Sequence, residues 1–190
     1  MNPNTIGCCG HTIKVASGSY VDLLDPQPHM IDLRTIAAAL SKTCRYGGHC
    51  PSFYSVAEHC VHAVRLAAED NRPGDELRAI FLHDAAEAYV GDLIKPMKRL
   101  LPEFYQIEQR FAAVIEIAFG VHFDRYESNI LFYDCVMLRA EKLQMWPHDT
   151  EEWPGLENYP DRRVKFQFLS PARGEQLFLE TARALSLVCY

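Results

Sequence analysis

Ile80-Phe81-Leu82-His83-Asp84-Ala85-Ala86-Glu87-Ala88-Tyr89-Val90-Gly91-Asp92 is the stretch on which the reading of this chain turns. Leu77, Ile80, Phe81, Ala85 and Ala88 recur at helical spacing, which predicts a helix with one face in the core. Into that helix are set an imidazole, a carboxylate directly after it and a second carboxylate one turn on. On a helix, His83 and Glu87 lie four apart and Asp84 and Glu87 three apart, so all three share one side. Burying such groups unpaired would cost several kcal/mol, and a metal ion taking the His nitrogen and the Asp oxygen as ligands would remove that cost. A His-Asp pair also arises by chance, so the reading depends on partners elsewhere.

Two other segments offer them. Ser55-Val56-Ala57-Glu58-His59 opens a second helix, with Ser55 and Glu58 as a capping box and Val56, Cys60, Val64 and Ala67 as its apolar stripe. His59 falls in the first turns, where a ring nitrogen can face a neighbouring helix. His62, a turn further on, is expected on a wetter face in a structural role. Asp134 sits between Leu131 and Leu138, in the middle of an apolar helix face. A buried Asp bonded to a Tyr or Arg would explain it, but the His and His-Asp pair on other apolar helices favour a metal ligand.

The order His59, then His83-Asp84, then a distant Asp134 resembles the HD-domain phosphohydrolase superfamily, in which four such side chains hold one divalent metal inside a helical bundle. The likeness extends through Arg45-Tyr46, Ser55-x-Ala57-Glu58-His59 and His83-Asp84-Ala85-x-Glu87-x-x-x-Gly91-Asp92-Leu93-x-x-Pro96-x-Lys98. That longer pattern is similar to small bacterial 5'-deoxynucleotidases and phage dATP triphosphohydrolases, and it runs from about Tyr20 to Asp134. The resemblance implies His59, His83, Asp84 and Asp134 as metal ligands and Glu87 as the residue that orients or deprotonates the attacking water. It implies Asp92 near the sugar and leaving oxygen, Arg45 on phosphate and Tyr46 beside the nucleoside. The chain departs from the family in carrying Tyr46 where Trp is frequent, and Leu93-Ile94-Lys95 where the 5'-deoxynucleotidases have Pro and Thr between Leu and Pro. Lys95 is either a cation favouring a more anionic substrate or an ordinary exposed lysine.

The residue types suit phosphate-ester hydrolysis, which needs a nucleophile at neutral pH and relief of charge on phosphoryl oxygens. Two imidazoles and two carboxylates without thiolate suit one divalent transition metal, Mn, Co, Zn, Ni or Fe, more than Ca. Glu87 is spaced to act as general base, and Arg45 with Lys98 can meet phosphate by charge-assisted hydrogen bonds.

Composition narrows the class. The chain has 190 residues, 48% of them hydrophobic, enough for one domain with a full core. No apolar run suffices to span a bilayer and the N-terminus lacks a signal-peptide layout, so a cytoplasmic enzyme without a membrane partner is expected. A formal charge of −6 argues against a general nucleic-acid surface. Seven cysteines without a Cys-x-x-Cys pair argue against a disulfide framework or zinc ribbon. Cys8-Cys9 with His11 is a weak candidate for a soft metal site, while Cys44, Cys50 and Cys60 read as reduced small hydrophobes.

The expected fold class is all-α, an HD-domain helical bundle with a short N-terminal β-hairpin, in a single domain over 1–190. Residues 1–30 form the hairpin and loop, 31–146 the metal-binding helical core and 147–190 a loop and C-terminal helix. The hairpin is read around Ser17-Gly18-Ser19, and Asp32 caps a helix carrying Ile36, Ala39 and Leu40 that ends in Arg45-Tyr46-Gly47-Gly48-His49. His49 is either a loop histidine or a further polar group near phosphate. Helices follow over Pro102–Phe119, stopped by Gly120, and over Asn129–Met145. Residues 146–160 read as a loop bordering the pocket, and Ser170-Pro171 starts a last helix with Leu177, Phe178, Thr181, Leu185 and Val188 on one face. The expected activity is a 5'-deoxynucleotidase acting on a small-molecule nucleotide, with a dATPase-type triphosphohydrolase and a non-catalytic nucleotide-binding module as alternatives. The resemblance also implies a homo-oligomer.

Overall fold

A computed structural model describes residues 10–187, so Cys8, Cys9 and Val188 lie outside the described residues; His11 is exposed. The chain is mostly helical with one small antiparallel sheet. Strands β1 (Thr12–Lys14) and β2 (Tyr20–Asp22) pair with Ile13 opposite Val21, and the turn closes through Gly18 N–H donating to the Val15 carbonyl at 2.8 Å. Val21 is fully buried, which pins the hairpin to the helices beneath it.

The helices are α1 (Leu33–Leu40), α2 (Val56–Glu69), α3 (Gly74–Leu82), α4 (Glu87–Val90), α5 (Lys95–Lys98), α6 (Pro102–Phe119), α7 (Phe123–Met145) and α8 (Pro171–Ala184). Asp32 caps α1 by accepting from Thr35 N–H at 2.8 Å, and Gly120 ends α6 in the left-handed region at φ 61°. α2 is the axis of the core: its residues from Val56 to Val64 are all buried, and α3, α7 and α8 pack around it. α8 completes the core of the monomer, lying on α1 and α2 with the Phe178 ring 4.3 Å from that of Phe81. Gly174 lies where α8 meets these elements, and a Cβ there would stand in ordinary van der Waals contact, 3.5 Å from Ser55 Oγ and 3.6 Å from Ser41 Cβ. Among the described residues no helix is long and apolar enough to cross a membrane.

Several elements differ from the sequence reading. The helix expected to run unbroken from Ile80 to Asp92 divides: His83 Nδ1 takes the Ile80 carbonyl at 2.8 Å, and the next turns tighten, with Ala85 N–H bonded to Leu82 O and Glu87 N–H to Asp84 O. Such three-residue steps redirect the chain without unwinding it. Helix α1 ends at Leu40 rather than at Gly47 or Gly48, and Arg45–Gly48 is a separate 3-10 turn clamped by Arg45 N–H on Tyr54 O at 2.9 Å. Helix α7 begins at Phe123, six residues before the apolar periodicity, where Glu116 accepts from Phe123 N–H and Tyr126 donates to Asp75.

The capping box is only half formed. Ser55 Oγ accepts from Glu58 N–H at 3.1 Å, but the Glu58 carboxylate turns away to residues 167–169. It accepts from the backbone N–H groups of Gln167 at 2.7 Å, Phe168 at 3.1 Å and Leu169 at 2.8 Å, and its neighbour His62 is buried rather than on a wet face. Three amides with no strand or helix partner outweigh one cap bond. Glu58→Ala is therefore expected to destabilise the protein by about 3 kcal/mol, read as a lower urea midpoint at constant slope. A midpoint equal to wild type would show that water satisfies those amides.

Candidate metal and substrate site

The site forms where α2, the turn after α3, and α7 converge. His59 comes from the first turns of α2, and His83 and Asp84 from the tightened turn. Asp134 reaches in from α7. His59 Nε2 lies 3.4 Å from Asp134 Oδ1 and 3.8 Å from Asp84 Oδ2, and His83 Nε2 lies 3.2 Å from Asp84 Oδ2. One ligand atom each from His59, His83 and Asp134 fall within 4.8 Å of one another.

Which ring nitrogens carry hydrogen follows from their partners. His59 Nδ1 faces Glu141 Oε1 at 2.7 Å. Burial opposes charge on Glu141, but Arg45 and His59 outweigh it and hold its pKa down to about 2, so this carboxylate only accepts and Nδ1 donates. His83 Nδ1 donates to the Ile80 carbonyl in the same way. Both Nε2 atoms are buried without a hydrogen-bond partner and point among carboxylate oxygens. A lone pair so placed calls for a proton, a hydrogen-bond donor or a cation. For His83, burial opposes the charged ring but Asp84 prevails, and the pKa is pushed up to about 9. Histidines whose Nδ1–H is fixed by a protein acceptor while Nε2 points inward are arranged as metal ligands are, so the donor set fits a divalent ion. The Cys60 thiol lies close by, within ligand distance of His83 and Asp84, but burial raises its pKa and keeps it neutral.

Around this cluster opens a cavity of about 540 Å³, lined by Arg45, Tyr46, Asp84, Glu87, Asp92, Lys95, Lys98 and Asp134 among others. Every residue expected at the site thus lies in the cluster or on the cavity wall. Arg45 is held 3.6 Å from Asp84 and 3.2 Å from Glu141, so it is fixed among carboxylates. Lys95 does not stand free: its ammonium donates to Asp134 Oδ2 at 2.8 Å. Lys98 bridges Glu87 at 2.9 Å and Glu108 at 2.6 Å, which makes it a partner of Glu87 rather than an uncommitted phosphate group. Glu87 keeps its second oxygen, Oε2, buried and unbonded. Burial, then the charges of Asp84 and Asp92, raise its pKa well above the carboxylate range; burial likewise raises that of Asp92.

Sequence reasoning missed Glu141. It is fully buried and accepts from His59, Arg45 and the Tyr46 hydroxyl. The signal was present in its spacing, seven residues and two turns beyond Asp134 on one face of α7. It also holds the Arg45–Gly48 turn, where Tyr46 adopts φ 59°, a left-handed conformation uncommon for a bulky residue and typical of a constrained site. His49 lines the cavity from the end of this turn, and Trp146 and Trp153 line it from the loop after α7.

No family model matches the sequence. A protein of Rhodobacter capsulatus, named "Uncharacterized protein RCAP_rcc00048", is 37% identical over 114 residues, 57% of this chain and 58% of that protein. "Uncharacterized protein YfdR" of Escherichia coli strain K12 is 33% identical over 177 residues, which span 92% of this chain and 95% of the relative. Similarity of that extent, end to end, makes this chain a member of the YfdR family.

Proposed function

We propose that the chain is a metal-dependent phosphohydrolase of the HD type, and that it hydrolyses deoxynucleoside monophosphates to deoxynucleoside and phosphate. The observation that carries the reading is the pair of orphaned Nε2 atoms of His59 and His83, facing Asp84 and Asp134 beside the unbonded Oε2 of Glu87. His59, His83, Asp84 and Asp134 would hold the ion. When bound, a divalent metal acidifies water and polarises a phosphoryl oxygen at neutral pH. Glu87 is kept in place by Lys98, and the positive charge of a bound ion would draw its raised pKa back down, so that its Oε2 would take the proton of the attacking water. Arg45, tied to Asp84 and Glu141, presents a preset guanidinium to the phosphate, so little side-chain entropy is lost on binding. Burial raises the Asp92 pKa above the ordinary carboxylate value, which favours the form that could donate to the leaving oxygen.

Purified protein with Mn or Co, offered dAMP and dATP in parallel, tests this. Phosphate and deoxyadenosine from dAMP with dATP intact are the expected products. The Lys95 ammonium on the cavity wall favours a second reading, a triphosphohydrolase, which dATP turnover would select. Binding of both without hydrolysis would leave a non-catalytic module. Glu87→Gln should retain its metal and lose about a hundredfold in kcat, as expected of a general base. Unchanged kcat would remove Glu87 from the chemistry.

A further inference from the structure

The chain contains two tryptophans, and both line the one cavity described above. Trp146 follows directly on the last residue of α7, and Trp153 stands further along the loop. Their ring centroids are 6.0 Å apart at 45°, and Tyr46 closes a third side at 5.0 Å from Trp146 and 6.1 Å from Trp153. Both indoles are half-buried, so neither is consumed by the core. Tyr46 is bonded to Glu141 and Glu141 to His59, so the three rings and the metal ligands belong to one continuous wall.

The rest of the lining decides what these rings can read. No Asn, Gln, Ser or Thr side chain lines the cavity among the described residues. The Tyr46 hydroxyl is taken by Glu141, and the other polar groups, His49 and the indole N–H donors apart, are charged side chains. A heterocycle entering here meets aromatic faces, while the charged groups that could match its edge are committed to one another, Arg45 to Asp84, Lys95 to Asp134 and Lys98 to Glu87. Stacking of this kind is tolerant of base identity because every base has a π-face, whereas edge readout uses paired donors and acceptors.

We infer that Trp146 and Trp153, with Tyr46, form a stacking platform that selects substrates bearing a flat heterocycle over bare sugar phosphates and discriminates little among the four bases. This rests on the phosphohydrolase reading for its place beside the metal, but it is tested without turnover. Purines, with the larger faces, bind more tightly than pyrimidines.

Because these are the chain's two tryptophans, emission excited at the indole red edge reports on the cavity alone. The protein is titrated with deoxyadenosine, deoxyguanosine, thymidine, deoxycytidine and deoxyribose 5-phosphate. Saturable quenching by all four nucleosides, with dissociation constants within about tenfold and purines tightest, is expected, and none by the sugar phosphate. Trp146→Leu and Trp153→Leu should each weaken deoxyadenosine binding by roughly tenfold in calorimetry and raise KM for dAMP far more than they lower kcat. Trp146→Phe and Trp153→Phe keep a stacking face and should restore most of the affinity, which separates loss of stacking from loss of fold. Absent quenching, wild-type affinity in the Leu variants, or preference for one base by more than about a hundredfold would overturn the platform. Quenching by nucleosides with no phosphate ester hydrolysed would keep the platform and refute the phosphohydrolase reading. Hydrolysis of dAMP with unchanged KM in the Leu variants would do the reverse.

Discussion

Asp134→Ala is expected to strip the protein of bound metal and to lower phosphate release by at least about a thousandfold, to near background. The carboxylate sits 3.4 Å from His59 Nε2 with one oxygen and accepts from Lys95 at 2.8 Å with the other. Truncation therefore does two things at once. It removes a negative ligand, and it leaves the Lys95 ammonium beside the remaining nitrogen donors with only the weaker attraction of Asp84 to balance it, which repels a cation. Asp134→Asn separates the effects, since the amide keeps an oxygen and the side-chain volume but loses the charge, and it should retain more metal than the Ala variant. Metal content by mass spectrometry and phosphate release are read on the same preparations. A fully loaded, fully active Asp134→Ala protein would end the assignment of this residue and leave His59, His83 and Asp84 to hold an ion without it.

The parts of this molecule that were legible in the sequence are those written in local patterns. Asp32 before Leu33, Gly120 after Phe119, the hairpin around Gly18 and the α6 and α8 starts at Pro102 and Pro171 are all cap, turn or proline signals, and each stands where the spacing predicts. The convergence of His59, His83, Asp84 and Asp134 was also legible, because polar groups on otherwise apolar helix faces must meet something, and several such faces in one small core must meet each other.

What was not legible depends on which partner a side chain takes. Glu58 reads as a capping glutamate because Ser55 is three residues away, yet the three amides it serves lie more than a hundred residues further along. The break after Leu82 has no glycine or proline to announce it; it follows from the His83 ring competing for the Ile80 carbonyl. Lys98 looks like an available phosphate ligand until α6 brings Glu108 against it. For Glu58 and Lys98 a tertiary partner redirects a charged side chain whose local reading was reasonable, whereas for His83 the redirecting contact is local.

Glu141 is the buried charge on which most of this depends, and its removal should be the costliest single change to stability. Glu141→Ala leaves the fully buried His59 Nδ1–H without an acceptor and the half-buried Arg45 with only Asp84 at 3.6 Å. Breaking a buried ion pair from one side costs about 3–5 kcal/mol, and loss of the carboxylate behind a metal-binding imidazole lowers metal affinity about 10- to 100-fold. The same group gives a pH signature. Its folded pKa is depressed to about 2, so its contribution is complete above the ordinary glutamate range and drains away as pH falls toward 2, with no change expected on the alkaline side. Glu141→Gln preserves the volume and one acceptor but does not titrate. The difference in unfolding free energy between wild type and this variant should shrink by up to about 3 kcal/mol between pH 5 and pH 2. Asp84 and Asp134, also held below the ordinary range against the opposing effect of burial, titrate in both proteins and largely cancel in the difference. A difference that stays flat across that range would mean Glu141 is protonated or solvated in the folded protein, and His59 would then need another source for the orientation of its ring.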